Sequence, residues 1–362
     1  MDNNSLKKWK EKGFLSLETY ELLQNNEYLL KESQIDYGLK ISVAISTHNR
    51  CVLLRRLLES ILHQTYKNVQ IVIADDASTD GTNVLVKDFC LNHADVEILY
   101  VKNTDNLGVG ETKKKAYKQC IGDIVIFSDD DDYYVDMDYF RKIANIFKEN
   151  DDCTMTVAST LMYYENEDRY NIQIINTPVK ISCREYLNGF MKKYDKPNSM
   201  FTMALRSSSM KKIDFINLKY YNDTPLYLYG LLAEGYVYSI KEAVGVYYIN
   251  GKNMTGNAGK DCIIGTLEAK VDVYNKACDK ALLDNPKKWY YDNLMATVDY
   301  YLLDNVKVVK DDIDVWKWVE KHLSFFEYYR YVLYILIERV FHCKEINILY
   351  IPTKTIRKKT NN

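Results

Sequence analysis

From about residue 41 the apolar positions of this chain alternate between two rhythms. The run ISVAI (41–45) is short and β-branched, and a polar turn, STHNR, follows it. Leu53, Leu54, Leu57, Leu58, Ile61 and Leu62 then recur at the spacing of one helix face, with Asn49 as the expected cap. VQIVIA is a second strand candidate. It ends in DDASTDGT, and another helix pattern runs from Asn83 to about Cys90. VEILYV is a third strand, DNLGVG opens a lysine-rich helix, and DIVIF is a fourth strand. Strands that alternate with helices predict an α/β fold with a doubly wound, mostly parallel sheet. In such sheets ligands bind beyond the carboxyl ends of the strands. STHNR, DDASTDG and SDDDDYY each follow a strand directly, so they are expected to line one shared edge.

The flanks have other textures. Residues 1–39 are polar and helical in pattern, with Leu15, Leu22, Leu23, Leu29 and Leu30 on an apolar side. They are expected to be a preamble packed on the main domain. Beyond residue 151 strand-like CTMTVAST, YNIQII and SMFTMALR surround a helix near 182–193. NDTPLYLYGLLAEGY then reads as a helix, and VYSI and AVGVYYI as strands. From about 256 the pattern is helical to near 341. The expected organisation is therefore 1–39, a catalytic-size domain over 40–255, and a helical extension over 256–362. Within that extension FFEYYRYVLYILIERVF (325–341) is apolar almost all round, with a thin stripe through Glu327, Arg330, Tyr334 and Glu338. Such a helix is expected in a core or in a homo-oligomer interface. Basic KTIRKK after it leaves peripheral membrane contact open, although the mixed-sign stripe is unlike a basic interfacial helix.

Composition narrows the class. Of 362 residues, 47% are apolar and 27% charged, which suits a globular chain. A net charge of −2 excludes a typical nucleic-acid binder. The opening MDNNSLKKWKEKGF lacks the apolar stretch of a signal peptide, and no apolar run reaches the ~18 residues of a membrane span. The eight cysteines are scattered without a C-x-x-C pair, so they are expected to be reduced thiols in a cytoplasmic setting.

Three features carry candidate chemistry. Asp76, Ser78, Asp80 and Gly81 match the first half of a calcium loop, but Lys87 stands where its bidentate Glu is needed. Asp80 or Thr82 capping the next helix explains the second half, and leaves Asp75 and Asp76 as acceptors suited to a nucleobase or ribose. If Asp129 to Asp132 extend their strand, Asp129 and Asp131 face one way and Asp130 and Asp132 the other. Two carboxylates on one side offer hard oxygens for Mg2+ or Mn2+. Asp223 opens a helix, where the dipole alone would favour a carboxylate, and it is equally placed to be a general base.

Taken in order, ISVAISTHNR, LLRRLLESILHQTY, VQIVIADDASTDGT, NLGVGETKKKAY, GDIVIFSDDDDYY, NDTPLYLYGLLAEGY and VYYINGKNMT resemble the family 2 inverting glycosyltransferases of the A-type fold. The resemblance covers roughly residues 40–255. It implies a nucleotide-diphosphate sugar as donor, most often UDP-linked, and a divalent cation held by an Asp-x-Asp motif. Carried over by position, Thr47, Asn49 and Arg50 would meet the nucleotide, Asp75 and Asp76 the base and ribose, and Lys113 the diphosphate. Asp129 and Asp131 match the metal motif, with Asp131 the principal ligand, while Asp130 and Asp132 support the donor. Asp223 matches the family's catalytic base. Ser46 replaces a frequent proline, His48 a usual tyrosine and Asn222 the acidic residue before the base. Asn250 stands where a metal-proximal His is common, with Lys252 as an electrostatic substitute. The implied activity is metal-dependent transfer of a hexose or N-acetylhexosamine from a UDP-sugar to a hydroxyl of a glycan or glycoprotein, in bacterial surface-glycan or adhesin assembly. The alternatives are a nucleotidyl- or phosphotransferase and a catalytically degenerate nucleotide-sugar scaffold.

Overall fold

Strands β1 (Ile41–Thr47) and β2 (Val69–Asp75) are buried along all seven of their residues. Such strands need no polar alternation, because helices cover both faces of the sheet. The computed structural model describes residues 3–25, 38–250, 259–304 and 313–342. Leu29, Leu30, Lys252 and the KTIRKK stretch therefore lie outside the described residues. The chain divides into two compact units, Met1–Gly251 with Asp279–Leu283 and Lys252–Cys278 with Asp284–Asn362.

In the first unit β1 and β2 are joined by α3 (Cys51–Leu62), and α4 (Thr82–Asn92) leads to the edge strand β3 (Glu97–Lys102). Next come α5 (Val109–Lys118), β4 (Ile124–Asp129), the short β5 (Tyr133–Tyr134) and α6 (Tyr139–Glu149). The order β3-β2-β1-β4 is parallel throughout, as the alternating pattern led us to expect. Val43, Ile45, Ile71, Ile73, Ile124 and Ile126 form one core with the apolar sides of α3, α4 and α6. Helix α5 lies against β1 and β2, and its Tyr117 ring sits 5.5 Å from Phe127 of β4.

Beyond β4 the sheet becomes mixed. The strands β6 (Cys153–Tyr164), β7 (Arg169–Gln173), β8 (Lys180–Ser182), β9 (Met203–Arg206) and β10 (Tyr236–Ile249) join it, with α7 (Cys183–Gly189), α8 (Ser207–Lys212) and α9 (Asp223–Gly230) between them. β9 is antiparallel to both β4 and β6, whereas β6 and β10 run parallel. The two N-terminal helices, α1 (Asn3–Glu11) and α2 (Leu17–Asn25), and the link between them place Leu6, Leu22 and Leu15 against Val135, Leu161, Ala243 and Val246. Their apolar side thus closes on the far end of the same sheet.

The second unit contains α10 (Lys260–Asp279), α11 (Pro286–Asp299), α12 (Ile313–His322) and α13 (Phe325–His342), around a core that includes Leu267, Leu294, Trp316 and Tyr331. Helix α13 is two-sided. Tyr328, Tyr331, Val332 and Ile335 are buried, while Phe326 is 84% and Leu333 59% exposed. No described helix is long and apolar enough to cross a membrane. The seven described cysteines are free thiols.

One close approach fixes a glycine. β10 passes Phe201 and β5 so tightly that a Cβ on Gly245 would lie 2.2 Å from Phe201 Cε2 and 2.7 Å from the Tyr133 carbonyl oxygen. Gly245→Ala is expected to destabilise the protein by about 1–3 kcal/mol. A urea titration measures this, and an unchanged midpoint would count against the packing described.

Candidate active site

The parallel register sets the carboxyl ends of three strands side by side. Thr47 pairs with Asp75 across β1 and β2, and Ser46 pairs with Asp129 across β1 and β4. The turns after these strands therefore converge, and their side chains meet.

The first turn is held from outside. Asn49 takes positive φ (53°), its N–H donates to Ser78 Oγ, and its Oδ1 accepts from Thr79 N–H at 2.7 Å. Asn49 is therefore not the cap of α3. Asp80 Oδ2 accepts from Cys51 N–H at 2.9 Å, and its Oδ1 accepts from Thr82 N–H, so one carboxylate serves two helix starts. Thr47 Oγ1 donates to Asp130 (2.7 Å), and Arg50 Nη1 donates to Asp130 (3.0 Å) and Asp131 (2.8 Å).

Asp75 and Asp76 are committed to the protein. Asp75 is fully buried and accepts from Ser78 N–H and the Tyr100 hydroxyl. Burial, together with this carboxylate, pushes the Tyr100 phenol up. Asp76 accepts from Asn103 Nδ2, Leu107 N–H and Gly108 N–H, and so fixes the loop that opens α5. Burial works against its charge, but these donors outweigh burial and hold the carboxyl below its usual range. As placed, both also brace the wall of the edge.

The acidic run departs from strand alternation. β4 ends at Asp129, and Asp130 and Asp131 form a turn closed by Asp132 N–H to the Asp129 carbonyl. Asp130 and Asp131 consequently share Arg50, while Asp129 pairs with Lys113 at 2.9 Å. Asp132 is buried, accepts from Ser199 Oγ and Tyr248 N–H, and ties the turn to two later segments. Burial first, and then neighbouring carboxylates, raise Asp130 to about 7 and push Asp131 and Asp132 up.

Asp223 begins α9 and lies 3.1 Å from Lys113 Nζ. Lys113, only 4% exposed, thus bridges Asp129 and Asp223. Burial alone would lower its pKa, yet the two carboxylates outweigh burial and raise it. For Asp223 burial pushes upward, while Lys113 and Lys196 outweigh it and hold the carboxyl below the usual range. A small cleft opens beside Asp223, lined also by Lys196, Pro197, Ser199, Met200, Met203 and Tyr227. The arrangement offers an ionised carboxylate facing a cleft, tied by one lysine to an acidic turn. Asn222 is the N-terminal residue before α9, and Asn250 follows β10.

Among the described residues no group of three or more His, Cys, Asp or Glu is arranged to hold a metal ion. Asp129 and Asp131 supply hard oxygens in a region where carboxylates outnumber cations, and that chemistry fits a divalent ion.

Sequence reasoning missed two residues. Arg56 on α3 lies 4.3 Å from the ring centres of both Tyr133 and Tyr248, and Nη2 donates to the Asp131 carbonyl at 2.6 Å. In LLRRLLES it reads as a solvated helix face, and no local signal marks it. Lys196 falls in the charged stretch KKYDKP, which has no period and gives no signal to single it out.

Residues 42–213 match the family model described as Glycosyl transferase family 2. The chain therefore carries a domain of that family, which spans just under half of its length. The glycosyltransferase GlyA of Streptococcus pneumoniae is 32% identical over 136 residues, 38% of this chain and 19% of that protein. The Escherichia coli UDP-Glc:alpha-D-GlcNAc-diphosphoundecaprenol beta-1,3-glucosyltransferase WfaP is 27% identical over 224 residues, 62% of this chain and 82% of WfaP. A Campylobacter jejuni GalNAc(5)-diNAcBac-PP-undecaprenol beta-1,3-glucosyltransferase is 37% identical over 94 residues, 26% of this chain and 30% of that protein. The chain thus spans a fifth to a third of two of these relatives and most of the third. Among solved structures, Staphylococcus aureus TarS in complex with UDP-GlcNAc superposes with a TM-score of 0.60 at 18% identity, over 78% of this chain and 79% of that one. The fold of this glycosyltransferase is accordingly the family's A-type fold.

The buried turn has a pH consequence. With Asp130 raised to about 7, the native metal-free protein keeps a proton that the unfolded chain releases near pH 4. Stability from this group is full below that unfolded value and declines as pH rises toward 7. Asp130→Asn cannot ionise, so its melting temperature relative to wild type should climb between pH 5 and pH 8. A flat or falling difference in thermal melts would refute the assignment.

Proposed function

We propose that this glycosyltransferase moves a hexose or N-acetylhexosamine from a UDP-sugar to a hydroxyl of a glycan or glycoprotein acceptor, with inversion and with Mn2+ or Mg2+ bound. The observation that carries the reading is Lys113, which joins Asp129 of the acidic turn to Asp223 of the cleft. A donor site and a base held by one buried ammonium are what a single displacement needs. The proposed setting is bacterial surface polysaccharide or adhesin assembly at the cytoplasmic side, and the undecaprenol-linked acceptors in the names of two relatives favour the polysaccharide.

In this mechanism Asp223, ionised beside two lysines, takes the proton of the acceptor hydroxyl as its oxygen attacks the anomeric carbon. A base so placed contributes ~10²–10⁴ in rate. Arg50 and Lys113 face the donor diphosphate, and Thr47 holds the Asp130 side of the turn. Asp129 and Asp131 would hold the cation, which when bound stabilises charge on the departing diphosphate. Asp75 and Asp76 act by shaping the nucleotide wall. Attack opposite the nucleotide inverts the anomeric centre.

A nucleotidyl- or phosphotransferase would want a second basic clamp, yet Lys114 donates to the Leu218 carbonyl and Lys115 to Asn103. A degenerate scaffold predicts tight UDP binding without turnover on any acceptor. The apolar outer side of α13, with Phe326, Leu333 and Ile337 exposed, supports a homo-oligomer through the C-terminal helices over membrane contact.

Nucleotide release from a panel of UDP-sugars with Mn2+, with and without acceptor, tests the transfer. Asp223→Asn should keep UDP binding and lose transfer by ~10²-fold or more. Asp131→Asn should weaken metal-dependent donor binding. Full activity in Asp223→Asn would sink the base assignment. Light scattering without detergent should find particles of more than one 42.4 kDa chain, and solubility that depends on detergent would favour the membrane instead.

A further inference from the structure

Two arginines divide Asp131 between them. Arg50 takes its carboxylate at 2.8 Å, whereas Arg56 takes its backbone carbonyl at 2.6 Å. A cation on the carboxylate would compete with the first bond and leave the second untouched. The Arg56 guanidinium lies in a slot between two rings, 4.3 Å from the centres of both Tyr133 and Tyr248. Tyr133 pairs with Val246 across β5 and β10, so Tyr248, two residues on, stands on the same face. The slot is itself braced. Tyr248 donates its hydroxyl proton to Glu165 and its N–H to Asp132, and its ring rests 5.7 Å from Tyr163. Rings on both faces attract the charge of a guanidinium and fix its plane.

Packing does not account for this arrangement. Helix α3 is fastened to the sheet by Leu54, Leu57, Leu58 and Ile61, all of them buried. The Arg56 Nε–H is buried and finds no acceptor among the described residues. An unmet buried donor lowers stability, and an apolar side chain of similar volume would avoid that loss. What the guanidinium adds is a donor held in one place for the Asp131 carbonyl.

We propose that Arg56 is a positioning residue for the acidic turn, holding the Asp131 peptide so that the carboxylate stays directed at the cation when Arg50 releases it. The inference rests on the reading of Asp129 and Asp131 as cation ligands, and it adds the group that orients one of them from behind. Its sign is distinctive. As a mere positive charge Arg56 would repel a divalent ion, so its removal would tighten binding. As a positioning group it favours the ion, and its removal weakens binding. Groups that orient a ligand in this way change metal affinity by ~10–100-fold.

Mn2+ titrated into protein saturated with UDP, with the free ion followed by electron paramagnetic resonance, provides the test. Arg56→Met, whose side chain fills the slot without charge, should keep a melting temperature close to that of wild type. It should bind Mn2+ more weakly by about tenfold or more. Tyr133→Leu, which opens one side of the slot and changes no charge, should weaken Mn2+ binding by a smaller factor. If Arg56→Met does not fold, Tyr133→Leu decides alone. Tighter Mn2+ binding in Arg56→Met would make Arg56 a bystander charge and overturn the proposal. Unchanged Mn2+ binding in the variants, with or without a lower melting temperature, would make Arg56 a packing residue and overturn it too. Failure of wild type to take up Mn2+ would fell the metal reading and this proposal with it. Uptake by wild type that the variants share in full would fell this proposal alone.

Discussion

The site depends on one buried ammonium. Lys113 reaches from α5 to the end of β4 and to the start of α9, joining Asp129 and Asp223, which are 94 residues apart in sequence. Without it two carboxylates would face each other in a region already crowded with negative charge. A buried pair broken on one side costs several times what the intact pair is worth. Lys113 therefore fixes the position of α9 relative to the sheet and also the ionisation of Asp223. The helix dipole at the start of α9 acts in the same direction. Structural and chemical explanations of Asp223 are thus compatible, because one set of charges serves both.

Register converts this local pairing into a site. Because β1, β2 and β4 are parallel and in phase, the turns after them open on the same edge. A shift of one residue would turn every side chain at the edge to the opposite face. Cross-braces hold the turns once they meet: Asp80 on the first turn of α3, Asn49 on Thr79, Asp76 on the loop before α5, and Arg56 on the carbonyl of Asp131. All four link segments 29 to 75 residues apart in sequence but adjacent at the edge. The rigidity of the edge comes from polar side chains satisfying backbone groups in neighbouring turns.

That division explains what was legible beforehand. The first four strands and their helices follow from period, since a buried parallel strand must be continuously apolar and its crossover helix amphipathic. The convergence of STHNR, DDASTDG and SDDDDYY follows from strand order alone. What period cannot show is where a strand stops. Asp129 to Asp132 read as an extended strand, whereas mutual repulsion and the pull of Arg50 bend the run into a turn after its first residue. The cap of α3 was misplaced for a related reason, because Asp80 acts through space and Asn49, in the expected position, is turned to positive φ. The mixed half of the sheet is obscure because β9 inserts antiparallel between β4 and β6, and no local pattern encodes pairing across that distance. Arg56 and Lys196 owe their places to tertiary packing, and a single sequence does not display it.

The charges of the acidic turn also bear on the order of events in the proposed reaction. Arg50 and Lys113 already occupy the outward sides of Asp131 and Asp129. A divalent cation arriving alone has to displace both or endure their repulsion at close range. A cation arriving with a nucleotide-sugar diphosphate, which carries two negative charges, would come as a neutral pair, and the two side chains could then turn to the phosphates as the carboxylates turn to the ion. On the proposed reading, cation and nucleotide therefore favour each other's binding, and by linkage each raises the affinity of the other by the same factor. On that reading the same exchange would loosen the hold of Lys113 on Asp223 and make the carboxylate a stronger base with the donor in place. Side chains compensate the aspartates of this edge in the ligand-free protein, and on the proposed reading the donor complex would take over that role.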